Sequence, residues 1–342
     1  VTGNKEIVRV GQLGLGAWGR NHFRTFAAHP GSKLVSAADP DERSRAVASA
    51  LAPDVPIHDD PRVVLEDETI EAIIIATPPQ AHTEQAKAAL SADKDVFVEK
   101  PIALSADDAE SLVKLADERG RILMVGHILL YHPVVHKLKD YVDEGRLGDM
   151  FYMYAARTNL GKVRQVENAL WSFAPHDISV MCHLAGSYPT SVTAVGRAYL
   201  QRDIAVEDVS FMTLDFDGGV LGHVHVSWLD PHKVRKLVVV GSQQMAVFDD
   251  SGGAEKLWLY DKGVDVPPDY RTYGEYLSLR TGDIVIPRVP AGEPLRLEAE
   301  AFLEAVKTRV PPLADGRNGL EVLRVLEAAS KSLGSGGTPV TV

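Results

Sequence analysis

Between Val8 and Asp39 the chain runs strand, glycine triplet, helix, strand, acid, and no other segment restricts its fold as much. An apolar run (Ile7, Val8, Val10, Leu13) reads as a strand and leads into Gly14-Leu15-Gly16-Ala17-Trp18-Gly19. A helical segment follows, then a second apolar run that ends in Asp39. Each glycine answers a separate steric demand: Gly14 the tight strand-to-helix turn, Gly16 the close approach of backbone to a pyrophosphate, Gly19 the packing of helix on sheet. Exposed N–H groups at the start of that helix meet phosphate charge. Asp39 stands twenty residues beyond Gly19, at the tip of the second strand. A carboxylate there accepts hydrogen bonds from adenosine-ribose hydroxyls and repels a 2′-phosphate, which points to NAD rather than NADP as cofactor. Arg43 works in the other direction, because it offers a cation to a 2′-phosphate. The candidate cofactor contacts in this segment are Gly14, Leu15, Gly16, Ala17, Trp18, Gly19 and Asp39.

A chain of 342 residues is long enough for two domains, and a change of pattern along it sets them at 1–125 and 126–342. The apolar content of 45% and charged content of 24% are those of a soluble globular protein, so periodicity can be read as burial. A net charge of −11 argues against nucleic-acid or anionic-membrane partners, which require a basic face. The single cysteine, Cys182, forms no internal disulfide and offers no metal site, which fits a cytoplasmic protein. Val1 to Arg9 lacks the apolar core of a signal peptide, and no apolar run approaches the length of a membrane span.

The first domain alternates short strands (Ile7–Leu13, Leu34–Ala38, Ala72–Ala76, Val96–Val98, Ile122–Val125) with helices at about Gly16–Ala28, Asp41–Ala50, Gln80–Ser91 and Ala106–Arg119. Right-handed crossovers between parallel strands follow, giving an α/β, Rossmann-type doubly wound sheet. Ligands of such sheets bind beyond the carboxyl ends of the strands, which draws attention to Ala76-Thr77-Pro78-Pro79 and Glu99-Lys100-Pro101. After a helix at about Val134–Glu144, the segments Met150–Arg157, Val192–Leu200, Val209–Phe216, Gly222–Trp228, Arg235–Val240 and Met245–Phe248 alternate with period two, interrupted by one helix near Leu170–Leu184. An α+β domain with an open, mainly antiparallel sheet is expected. Ser251 to Gly282 has weak periodicity and several tyrosines (Tyr260, Tyr270, Tyr273, Tyr276), and it reads as a long loop serving as a substrate lid or a subunit contact. Helices at about Arg296–Val310 and Gly319–Leu333 close the chain, with a return of these helices onto the first domain left open, before a glycine-rich tail, Gly334–Val342, expected to fray.

Lys100 is the first candidate for chemistry. It follows an apolar strand and precedes a proline, so its ammonium lies at a strand's carboxyl end, where it stabilises the alkoxide character of an alcohol undergoing oxidation. The reaction also needs an acceptor for the hydroxyl proton, and imidazole has the matching intrinsic pKa. His176, in Trp171-Ser172-Phe173-Ala174-Pro175-His176-Asp177-Ile178, lies on the helix inside the strand-rich domain, but with 12 histidines in the chain the chemistry alone does not single it out.

Four motifs in order, GLGAWGRN, ATPPQAH, VEKP and HDIS, resemble the glucose-fructose oxidoreductase / inositol dehydrogenase / MocA family of NAD(P)-dependent sugar and cyclitol dehydrogenases over about Val8 to Trp228. The resemblance implies that Lys100 is the active-site lysine, that His176 is the acid/base, and that Thr77, Pro78, His82 and Glu99 neighbour the cofactor. It also implies a homo-oligomer, dimer or tetramer, formed through the open sheet. The sequence departs from the family at Ser172, one turn before His176, where many members carry an aspartate. The run Gly126-His127-Ile128-Leu129-Leu130-Tyr131-His132-Pro133, with Asn159 to Arg164 and Asn168 to Trp171, resembles the branch of UDP-N-acetylglucosamine 3-dehydrogenases. On that basis Lys162 and Arg164 hold a diphosphate, Tyr131 or Trp171 stacks on a ring, Asn159 or Asn168 reads hydroxyls, and Asp177 borders the substrate beside His176. The expected reaction is oxidation at carbon 3 of a UDP-N-acetylhexosamine. The alternatives are the same chemistry on a free sugar, sugar phosphate or cyclitol, or an NAD-binding sensor without catalysis.

Overall fold

The computed structural model describes residues 7–161, 163–164, 167–265 and 278–342. Its contacts divide the chain into two units, Val1–Tyr131 with Gly292–Leu323 and His132–Ala291 with Arg324–Val342.

The first unit contains β1 (Val8–Leu13), α1 (Gly19–Ala28), β2 (Ser32–Ala38), α2 (Glu42–Leu51), β3 (Ile57–His58), α3 (Pro61–Leu65), β4 (Ala72–Ile75), α4 (His82–Ser91), β5 (Asp95–Val98), α5 (Ala106–Arg119) and β6 (Leu123–Val125). Six parallel strands lie in the order β3-β2-β1-β4-β5-β6, so the winding reverses between β1 and β4. That reversal opens a crevice at the carboxyl ends of these two strands. Helices cover both faces, and the central strands are accordingly continuous apolar runs: Ala72 to Ile75 are all fully buried.

The second unit begins with α6 (Pro133–Asp143) and continues through β7 (Met150–Leu160), α7 (Ala169–Ala185), β8 (Pro189–Arg197), β9 (Val209–Phe216), β10 (Leu221–Ser227), β11 (Leu229–Gly241), β12 (Met245–Asp249), β13 (Leu257–Asp265) and β14 (Ser278–Val285). The chain ends with α8 (Pro294–Thr308), α9 (Gly316–Gly334) and β15 (Val340–Thr341). In the first unit α8 meets α1 through an edge-on contact of Phe26 with Phe302. Nine strands form the second sheet, β14-β13-β12-β11-β7-β10-β9-β8-β15, antiparallel except for β10 beside β7. The fold class is therefore the α/β sheet followed by the mixed, mainly antiparallel sheet that the alternation patterns predict. α7 packs on β7, β9 and β10 and is buried along most of its length.

Two segments differ from their sequence reading. The segment read as a loop from Ser251 contains β13 and the start of β14, paired Leu259 to Val285 and Tyr260 to Ile284; Tyr270, Tyr273 and Tyr276 lie outside the described residues. The tail does not fray, because Val340 and Thr341 pair with β8 and the Ser332 hydroxyl donates to the Thr338 carbonyl while accepting from the Ala194 N–H. Among the described residues no helix is long and apolar enough to cross a membrane.

Candidate active site

The glycine loop is held from inside by Gln12, whose amide nitrogen donates to the carbonyls of Gly14 (2.9 Å) and Gly19 (2.7 Å). Gly14 has a φ of 91°, and a Cβ on Gly19 would stand 2.3 Å from the Gly14 carbonyl oxygen, so the turn itself demands both glycines. Gly16 differs. No atom lies within 4 Å of where its Cβ would be, which leaves open space beside the start of α1. Among the described residues no side chain caps that helix, and its first turn holds no acid.

Asp39 is oriented by two backbone donors, Leu15 N–H to Oδ2 at 2.6 Å and Asp41 N–H to Oδ1 at 2.8 Å. Each oxygen retains a lone pair for a further donor. An open cradle, an uncapped helix start and an oriented carboxylate at the tip of β2 fit the pyrophosphate and adenosine ribose of NAD. Leu15 is buried and offers only backbone, whereas Ala17 and Trp18 are exposed.

Thr77 and Pro78 follow β4 at the same sheet edge, with the Thr77 hydroxyl donating to Gln85 Oε1 at 2.7 Å. His82 and Glu99, expected as cofactor neighbours, are spent inside the protein. The His82 ring is 1% exposed and spans the carbonyls of Pro101 (2.8 Å) and Thr77 (2.9 Å), tying the ends of β4 and β5 together. Burial lowers its pKa, so the neutral ring donates to one carbonyl at a time. Glu99 accepts from the Trp18 indole (2.5 Å), lies 2.6 Å from His22 Nε2, and receives the Lys100 backbone N–H at 3.1 Å. Burial pushes its carboxyl up, but the His22 contact and charge, the indole and the Lys100 ammonium together pull it below the usual range. Lys100 itself is half-buried at the carboxyl end of β5 and forms a cis bond with Pro101.

In the second unit, α7 carries His176 after Pro175, with the His176 carbonyl accepting from the Ser179 hydroxyl. Asp177, expected beside the substrate, is engaged within the protein. Arg157 of β7 takes both of its oxygens, Nε to Oδ2 at 2.8 Å and Nη2 to Oδ1 at 2.9 Å, and the carboxylate is almost wholly buried. Asn168 is likewise a structural group: its Oδ1 caps α7 by accepting from Trp171 N–H and its Nδ2 donates to Glu207. The Trp171 indole donates to Ser330 at 2.8 Å but the ring is half-buried, so part of its face remains open. Asn159 stands on β7 with a buried Oδ1 that has no hydrogen-bond partner among the described residues. Arg164 is exposed and pairs with Glu167, while Lys162 lies outside the described residues.

Tyr131, in the first unit, is a core residue rather than a stacking platform. It is 5% exposed, its hydroxyl accepts from Ala314 N–H at 3.1 Å, and burial raises its pKa. Gln12, His22 and Arg157 stand out by no motif in the sequence, while His127 falls in the run from Gly126 to Pro133. His22 had a signal, since it lies four residues after Trp18 and so shares its helix face.

The sequence signature of the GFO/IDH/MocA oxidoreductase family, with its NAD-binding Rossmann fold, matches residues 8–127, and that of the GFO/IDH/MocA C-terminal domain matches residues 135–247. Among similar proteins, scyllo-inositol 2-dehydrogenase (NAD(+)) of Bacillus subtilis (strain 168) is 27% identical over 96% of this chain and 95% of its own. UDP-N-acetylglucosamine 3-dehydrogenase of Acidithiobacillus ferrooxidans is 28% identical over 92% of this chain and 94% of its own. A crystal structure from Magnetospirillum magnetotacticum MS-1 superposes with a TM-score of 0.80 at 30% identity, covering 94% of this chain and 99% of that one. With both signatures matched in order, and with a glycine loop and acid that fit the dinucleotide, the chain belongs to the GFO/IDH/MocA oxidoreductase family and is an NAD-binding enzyme.

Proposed function

We propose that this enzyme oxidises a secondary hydroxyl on a cyclitol or sugar ring to a ketone, with Lys100 and His176 as the working pair. The observation that carries this reading is the gathering of an open glycine loop, the oriented Asp39 and Lys100 at one edge of one sheet. NAD, when bound, supplies the two-electron acceptor. Gly16, the backbone around Ala17 and Trp18, and Asp39 would hold it, and Asp39 would disfavour the 2′-phosphate of NADP. The Lys100 ammonium stabilises the negative charge that builds on the substrate oxygen. The His176 imidazole takes the hydroxyl proton. Ser172, one turn before His176, is buried and carries a hydroxyl at the position where the family resemblance implies an aspartate.

A second reading, oxidation at carbon 3 of a UDP-N-acetylhexosamine, rests on the Acidithiobacillus relative and its coverage of 92% of this chain. An uncharged ring is favoured over it, because Arg164 already has Glu167 as counter-ion and Tyr131 offers no exposed face. The aromatic face of the second sheet, with Tyr152, Tyr154, Phe211 and Leu221 exposed, supports assembly with further copies of the chain.

The test is NADH formation across scyllo-inositol, myo-inositol, free sugars, N-acetylglucosamine and UDP-N-acetylglucosamine, with NAD and NADP in parallel. Lys100→Met and His176→Asn should keep NAD affinity and each lose about 10²- to 10⁴-fold in turnover. Wild-type turnover in either variant would refute its assigned role, and NAD binding without reduction by any polyol would indicate a sensor instead.

A further inference from the structure

We propose that Glu99 is a positioning residue that couples the glycine loop to Lys100, with Trp18 and His22 acting through it. The inference rests on the reading of Lys100 given above and goes beyond it by naming what holds that lysine in place.

Three donors converge on one buried carboxylate. Oε1 receives the Trp18 indole and faces His22 Nε2, and Oε2 receives the backbone N–H of Lys100. Three of its roughly four lone-pair sites are thereby filled from within the protein. The side chain is 12% exposed, so a direct cofactor contact is not its main use. Trp18, by contrast, is 45% exposed and sits between Gly16 and Gly19, in the loop that fits the dinucleotide. A displacement of the indole is passed to the Lys100 backbone through two hydrogen bonds that share one carboxylate.

The surroundings make Glu99 the anion of this cluster. His22 faces it from α1, His82 from α4, His127 from beyond β6, Glu298 from α8, and the Lys100 ammonium from its own strand end. His127 is 2% exposed and burial drives its pKa to about 4, so it is neutral at physiological pH. Burial, with Glu99 nearby, raises the Glu298 pKa well above the ordinary carboxyl value. The space around the carboxylate is closed as well: a Cβ on Gly126 would come within 2.9 Å of it. A fixed negative charge beside Lys100 favours the ammonium over the amine.

The experiment is a pH profile of kcat and kcat/KM for the best polyol of the panel, with NAD affinity measured by fluorescence titration, in wild type, Glu99→Gln and Trp18→Phe. Removing the carboxylate charge should move the alkaline limb of the profile to lower pH by about 1–3 units, with NAD affinity held to within about threefold. Trp18→Phe keeps the charge, so its limb should stay in place while kcat falls about tenfold. An unmoved limb in Glu99→Gln, in an enzyme that Lys100→Met inactivates, overturns the coupling. Should Glu99→Gln fail to fold or turn over, Trp18→Phe decides: a kcat loss with NAD affinity retained supports the coupling, and wild-type kcat overturns it. Turnover surviving in Lys100→Met would instead defeat the proposed function.

Discussion

Glu298 gives a stability test that needs no substrate. It is 1% exposed on α8, neither carboxylate oxygen has a hydrogen-bond partner among the described residues, and burial, with Glu99 and Glu293 nearby, raises its pKa well above the ordinary carboxyl value. The sign of the effect is opposite to that of a salt-bridged acid. Above the unfolded carboxyl value of about 4.3, the unfolded chain has released this proton and the folded chain has kept it, so stability falls as pH rises until the folded pKa is reached. The slope for one such group is about 1.4 kcal/mol per pH unit. Glu298→Gln has the same shape and no proton to lose, so this component disappears while other titrations largely cancel in the comparison. For a unit built from Val1–Tyr131 and Gly292–Leu323, about 1.4 kcal/mol corresponds to roughly 3–5 °C in Tm. Thermal unfolding at about pH 5 and about pH 6 should show Glu298→Gln gaining that margin over wild type between the two conditions. A Tm difference that is the same at both pH values would mean that Glu298 titrates normally in the folded protein, and the account of its neutrality would be wrong.

The glycine loop separates folding from binding. Gly19→Ala drives a Cβ to 2.3 Å from the Gly14 carbonyl and should lower Tm strongly, whereas Gly16→Ala meets nothing within 4 Å and should leave Tm unchanged while weakening NAD at least tenfold in a binding titration. Asp39→Ala should raise the KM for NAD and narrow the preference over NADP, read from parallel initial rates with the two cofactors. Arg157→Met strands the buried Asp177 carboxylate beside His176 and should cost about 3–5 kcal/mol in a denaturant titration of the folded protein.

The first sheet is legible because its strands are buried on both faces: a run such as Ala72-Ile73-Ile74-Ile75 admits few other interpretations. β13 is harder to read. Leu257 and Leu259 are 1% exposed and alternate as a strand should, but a glycine-rich turn precedes them and the charged Asp261, Lys262 and Asp265 follow. What makes them a strand is pairing with β12, Tyr260 opposite Met245, and that partner is nonlocal. The short pairing of Val340 and Thr341 with β8 is hidden in the same way behind two glycines.

The site divides along a different line. Residues whose backbone does the work, such as Gly14 and Gly19, declare themselves by spacing, because steric demands fix both residue type and position. Residues chosen for a polar tip do not, because the sequence does not say whether that tip meets a ligand or the protein. Asp177, Asn168 and Tyr131 carry suitable groups, and Arg157, Trp171 N–H and Ala314 N–H occupy them. Glu298 shows that part of this information is still recoverable. Leu295, Glu298, Ala299, Phe302 and Val306 recur at helical spacing, so one acid lies on the stripe that must face the core. An ionised carboxylate on such a stripe costs more than the helix gains by packing, whereas a protonated one costs far less. The raised pKa is thus already implied by the position of Glu298 in α8, before any neighbour is known.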